Sequence, residues 1–310
     1  MPDGSGRGPI EAEALAAEAE RAAADAAREA KAEMIERETA AAPASPQAPT
    51  AKRAGKRAKA AWHEFTVDVW ITSLNSIEFG FYKRSRNKAK SRQFTTDMDV
   101  FAEVIENGER TGVLGYREDL WKKSAGMDKR LVFKLFGERL NWKATMDLMI
   151  GRSLQLSFGA HGFPVIAFSV NVGDHDHVVY LERSAHKWPL LPENFSFFTM
   201  EAGRPVFYRL RRDFIDLGGD YTLYDEHDVK IGRLNGAVFS LGGKWKGRVR
   251  MEKADPRLLM VLKLFCGMLI FNKECRAHVR SLVRDIKRAR LLPKLEKQEA
   301  DLYMNPRRVR

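Results

Sequence analysis

The chain has 310 residues, enough for one or two domains, with 44% hydrophobic residues and a formal net charge of +12. Residues 1–50 hold ten acids against five bases, which leaves +17 for the rest and points to an anionic partner: a membrane surface, nucleic acid or an acidic protein. The two cysteines, Cys266 and Cys275, fit no metal-ligand spacing and give no reason to expect a disulfide framework, so a reducing compartment is expected.

The opening residues, MPDGSGRGPIEAEA, show no basic n-region and no apolar h-region, so no secretory signal is expected. Residues 10–40 are rich in Ala, Glu and Arg and should be helical. Their apolar positions are mostly Ala, a poor heptad seam, so a solvated helical arm is expected rather than a coiled coil. Residues 41–50, AAPASPQAPT, read as a linker. The cluster KRAGKRAK at 52–59 includes Lys52, Arg53, Lys56 and Arg57, and is either a charged linker or a contact for phosphate or lipid headgroups.

A folded body is expected from residue 62. Residues 63–71 and 77–82 alternate at period two, as half-buried strands do. Between Lys83 and Arg92 the run KRSRNKAKSR carries six bases and no acid: Lys83, Arg84, Arg86, Lys88, Lys90 and Arg92. It is a solvated hairpin loop or an anion-binding loop, and the self-repulsion of a one-sign run favours binding. Residues 100–105 and 110–116 flank Asn107-Gly108, the signature of a tight hairpin. Residues 117–150 read equally as strands or a short helix. Strands are expected at 154–158, 163–172 and 178–182.

The stretch GDHDH, Gly173 to His177, is the most enzyme-like in the chain. On a strand His175 and His177 would point the same way and could ligate a metal with Asp174 or Asp176. No third soft ligand stands at a fixed spacing, and the other reading is a polar turn leading into the next strand. No cofactor motif and no nucleophile–base pair is identifiable.

Residues 197–245 hold one pattern twice. A shift of 24 places Arg209-Leu210 on Arg233-Leu234, Leu217-Gly218-Gly219 on Leu241-Gly242-Gly243, and Tyr221 on Trp245. Each copy is two alternating runs and two turns, the repeated hairpin of a closed antiparallel sheet. The Leu-Gly-Gly elements lack a Gly-Lys-Ser/Thr ending, so their glycines serve positive φ or a bulge rather than phosphate. In Phe207-Tyr208-Arg209 and Trp245-Lys246 the period predicts aromatics inside and bases outside.

The second copy, YTLYDEHDVKIGRLNGAVFSLGGKW, resembles the strand pattern of the LURP-one-related proteins, which are grouped with phospholipid scramblases and the tubby C-terminal domain. The resemblance covers about residues 195–275. It implies a twelve-stranded barrel wrapped around a hydrophobic helix, and a module that binds phospholipid headgroups. Asp255-Pro256 followed by LLMVLKLFCGMLIFN supplies that helix at about 257–272. The apolar run is shorter than the ~20 residues a membrane-spanning helix needs, and Lys263 interrupts it. In a barrel Lys263 must reach a mouth or a carboxylate. Residues 276–292 place bases around one face of an amphipathic helix, and a basic tail follows.

The expectation is therefore a mainly β chain: a helical arm and basic linker at 1–61, a closed antiparallel β-barrel around a C-terminal hydrophobic helix at 62–275, and a cationic helix and tail at 276–310. A non-enzymatic module is expected, without a cofactor, in the cytoplasm and peripheral at a membrane. Its expected partners are anionic lipid headgroups or another acidic macromolecule such as RNA. The alternative is a structural subunit of a larger protein or RNA–protein assembly, held by its terminal helices.

Overall fold

The computed structural model describes residues 61–69, 94, 98–185, 192–213, 219–236 and 243–304, all within the unit Lys59–Arg310. Twelve antiparallel strands close into a barrel in which each strand pairs with its neighbours in sequence and β1 pairs with β12. The first half comprises β1 (Trp62–Val69), β2 (Met98–Glu106), β3 (Glu109–Arg117), β4 (Val132–Gly137), β5 (Trp142–Leu148) and β6 (Ala167–Val172). The second comprises β7 (Val179–Arg183), β8 (Asn194–Glu201), β9 (Arg204–Arg212), β10 (Tyr221–Asp225), β11 (Lys230–Gly236) and β12 (Lys244–Arg250). Even-numbered strands run towards one end, here the upper end. Closure gives every strand a neighbour on both sides, so the sheet has no edge strand.

The expected Asn-Gly hairpin joins β2 to β3, and both turn residues have positive φ, 53° at Asn107 and 82° at Gly108. The 24-residue repeat is structural as well. Shifted by 24, β10 and β11 fall within β8 and β9. Leu210 and Leu234 then both face the core, and Gly219 and Gly243 both take positive φ before the next strand. The aromatic residues that start the successive repeats, Tyr221 and Trp245, meet inside with ring centroids 6.4 Å apart. The expected exclusion of aromatics from the outer face fails at one position. Tyr208 points in, but Phe207 is 53% exposed and packs on Phe198 across the β8–β9 pair.

The barrel interior is filled by α3 (Pro256–Leu269), the helix expected at about 257–272. It starts at Asp255, whose carboxylate accepts the Arg257 N–H at 2.8 Å, with Pro256 in the first helical position. Nearly every side chain from Leu258 to Met268 is buried. Phe265 packs edge-on against Phe195 of β8 and Tyr221 of β10, whereas Gly267 lies against Leu114 of β3 and Phe101 of β2. Contacts on opposite walls place these turns within the barrel, which is why the helix can be apolar on all sides. Lys263 does reach a carboxylate: its Nζ lies 2.8 Å from Glu106 Oε1 at the upper end of β2. His63 Nε2 sits 3.0 Å from the same oxygen. Among the described residues, no helix is long and apolar enough to cross a membrane.

Residues 154–158 are a helix and not the expected strand. They lie in α2 (Ile150–Gly159). The run alternates, but Ile150, Ser153, Leu154 and Ser157 also share a helical face, and tertiary contacts decide for that face. The Ser153 and Ser157 hydroxyls accept the Ala167 and Val165 N–H groups at 3.0 and 2.9 Å. Each also donates back to the carbonyl four residues earlier. The ambiguous stretch after 117 resolves into α1 (Glu118–Lys122) and the hairpin β4–β5. The strand expected at 77–82 lies outside the described residues.

Candidate anion-binding surface

The polypeptide leaves the barrel at its lower end through Phe271. This ring is wedged among Phe101, Tyr116, Trp121 and Phe133, with centroids 5.3 to 6.4 Å away. The wedge separates α3 from α4 (Asn272–Lys287), the helix that the sequence places at 276–292. Pro293, which the sequence offers as its end or a kink, lies beyond it. The helix stops at Lys287, and Ala289 takes a left-handed φ of 53° while the Arg288, Ala289 and Arg290 N–H groups close the last turn.

One face of α4 is fixed to the barrel. Cys275, Val279, Leu282 and Val283 are buried. Asn272 donates to Glu193 Oε2 at 3.0 Å, which also accepts from the Tyr221 hydroxyl at 2.8 Å, while the other carboxylate oxygen binds Arg183. Burial alone would push the Glu193 carboxyl up, but Arg183, the Tyr221 hydroxyl and Arg276 outweigh it and hold it below the ordinary range. Further along, Glu274 accepts from the Trp121 indole at 3.3 Å, and His278 Nε2 lies 3.1 Å from the Lys129 carbonyl. These contacts fix which face of the helix looks outward.

The outward face is basic. Lys273, Arg280, Arg284, Lys287 and Arg288 are all exposed. At 1.5 Å per residue they form a stripe about 22 Å long. Residues 272–290 hold seven bases against two acids. Among the described residues, Arg280, Arg284, Lys287 and Arg288 form no ion pair. By contrast, Lys244 and Arg209 are paired with Asp68 and Asp228, and Arg233 with Asp213 and Asp220. The stripe is thus a group of cations that the fold holds in a row and leaves unneutralised. On β12, Lys246 and Arg248 add two exposed bases, the latter stacked 5.2 Å over the Trp62 ring.

The anion-binding residues selected from the sequence are Lys52, Arg53, Lys56, Arg57, Lys83, Arg84, Arg86, Lys88, Lys90 and Arg92. All lie outside the described residues. The α4 bases received no such role from the sequence, because period 3.6 identifies a cationic face without telling which of its residues escape pairing.

His175 and His177 lie in the β6–β7 turn and not on a strand, as the polar-turn reading has it. His177 is exposed. His175 is half-buried and lines a cavity of about 230 Å³ with Thr199, Met200 and Arg257. Burial and the nearby Arg257 push its pKa down. No group of three His, Cys, Asp or Glu side chains suited to a metal occurs among the described residues. Cys266 and Cys275 are free and fully buried, and burial pushes both thiols well above their ordinary range.

Comparison with protein-family models, with curated proteins and with solved structures finds no match. The functional reading therefore rests on the geometry.

Proposed function

We propose that this chain is a non-enzymatic binding module, tubby-like in design, that associates with anionic phospholipid surfaces through the outward stripe of α4. One observation carries the reading: four bases on one rigid helix face, Arg280, Arg284, Lys287 and Arg288, without a carboxylate partner among the described residues. The twelve-stranded barrel around an apolar helix is in keeping with the resemblance of residues 195–275 to the tubby and LURP-one-related group. The sequence holds further bases at Lys83–Arg92 and 52–59, which raise the positive charge of the chain. Guanidinium groups suit phosphate oxygens of any origin, so the second reading is a subunit of an RNA–protein assembly.

The test is sedimentation of the full chain with neutral and anionic vesicles, with structured RNA as competitor. A basic residue near an anionic surface contributes ~1 kcal/mol, so changing the four α4 bases to Gln should weaken vesicle binding by about a thousandfold at low salt. A companion variant with the six bases of Lys83–Arg92 changed to Gln measures that loop's share. Vesicle binding that survives both variants refutes the reading. RNA binding with a steep salt dependence, and no vesicle binding, transfers the stripe to the second reading.

A further inference from the structure

Asp147 stands on the outer face of β5, where alternation would expose it, yet it is only 7% exposed. What covers it is the C-terminal segment that follows α4. Arg130 Nη2 lies 3.0 Å from Asp147 Oδ2, and its Nη1 lies 2.8 Å from Oε2 of Glu296 in that segment. Gln298 accepts from Arg130 at 3.1 Å. Glu299, in the helix α5 (Lys297–Met304), is 6% exposed and accepts the Gly151 and Arg152 N–H groups at 2.9 and 2.6 Å, capping the start of α2. Lys294 adds an exposed pair with Asp128 at 3.1 Å.

The contacts described for this segment are mainly polar, and Leu295 is 49% exposed. A segment held by few apolar contacts belongs to the least stable part of a fold. Its position matters, because Leu302 of α5 forms one wall of an apolar pocket of about 450 Å³ whose other walls include Met149, Tyr180, Phe198 and Phe207.

Three carboxylates, Asp147, Glu296 and Glu299, thus meet around two cations, Arg130 and Lys134. Lys134 is itself buried on β4. Among the described residues Asp147 Oδ1 and Arg130 Nε find no hydrogen-bond partner, so the cluster is incompletely satisfied when docked. We propose that residues 294–304 form a pH-responsive strap that docks over Asp147 and the pocket when Asp147 is protonated and loosens when it is ionised.

The sign follows from what surrounds Asp147 in each state. Docked, it is desolvated and faces Glu296 and Glu299, which oppose ionisation, while Arg130 and Lys134 favour it. Burial dominates and its pKa is pushed up to about 7. Undocked, it meets water beside Arg130 and Lys134 with both glutamates gone, and its pKa falls towards the ordinary carboxylate range. The docked state binds the proton more tightly, so docking weakens as pH rises through 7.

Hydrogen exchange of the α5 amides in the full chain tests this, with rates corrected for the intrinsic pH dependence of exchange. From pH 6 to pH 8 protection should fall about tenfold, one proton's worth of linkage over that window. Asp147→Asn keeps the shape and removes the titration, so its protection should stay constant. Glu296→Gln removes one opposing carboxylate and should shrink the pH response. If wild-type protection does not change between pH 6 and 8, or if Asp147→Asn retains the wild-type change, the proposal is overturned.

Discussion

Replacing Lys263 by Met tests whether the cation in the middle of the apolar helix is tied to its carboxylate. Met is one atom shorter but keeps an unbranched apolar stem beside Phe65, whose ring centroid lies 5.8 Å from the ammonium. It leaves Glu106 with His63 as its remaining close charge partner. Lys263 and Glu106 are 12% and 17% exposed, so the pair is neither a surface pair, worth under ~1 kcal/mol, nor sealed from water, where breaking a pair costs 3–5 kcal/mol. An intermediate loss of about 2 kcal/mol is expected, which for a domain of this size lowers Tm by about 4–8 °C. Changing both partners, Lys263→Met with Glu106→Met, should recover most of that loss, because no buried charge is then left alone. The pH profile gives a second reading. Burial would raise the Glu106 carboxyl, but Lys263, His63 and Thr111 outweigh it and hold it below its ordinary value. A depressed pKa contributes stability above the unfolded value, near 4.5, and that stability is lost as pH falls through the folded value. The single variant should therefore show a shallower loss of stability in acid than wild type. Thermal unfolding by circular dichroism between pH 3 and 7 measures both effects. A single variant as stable as wild type, or a double variant no better than the single, refutes the assignment.

Two further predictions concern how the helices are held. Gly267→Ala gains up to ~1 kcal/mol of helix propensity, but its Cβ would stand 2.9 Å from Leu114 Cδ1 and 3.3 Å from Phe101 Cζ, both buried. Overpacking at ~1–3 kcal/mol should win, so Tm should fall, and a rise in Tm would show that the wall yields. Glu193→Gln puts an amide where three donors converge and leaves Arg183 without its anion. Thermal unfolding should show a loss of about 2–4 kcal/mol. Because the Glu193 carboxyl is held low, its contribution is present above the unfolded value of 4.5 and lost in acid, so this variant should also lose less stability below that pH than wild type.

Much of the architecture was written in local pattern. Period-two alternation and the Asn-Gly dipeptide identify β2 and β3, and the 24-residue repeat identifies the strands from β8 to β11, because a hairpin is specified by residues near one another in the chain. Asp255-Pro256 and a run of apolar residues identify α3, since a helix apolar on every side has to be enclosed. Tertiary structure decided the rest. The run 154–158 satisfies both periods, and only the unpaired N–H groups of Val165 and Ala167, met by Ser157 and Ser153, select the helix. Phe207 faces outward because its register, set by pairing with Phe198, leaves it no place in the core. Lys263 has a partner because β2 ends beside it, more than 150 residues away in sequence. The same holds for the candidate surface. Composition told that α4 is cationic, but which bases stay unpaired depends on where Glu193, Trp121 and Lys129 fix the helix. The strap over Asp147 was invisible in the sequence, because its contacts join residues 130, 147, 151 and 299 from separate elements, and none of these leaves a local signature.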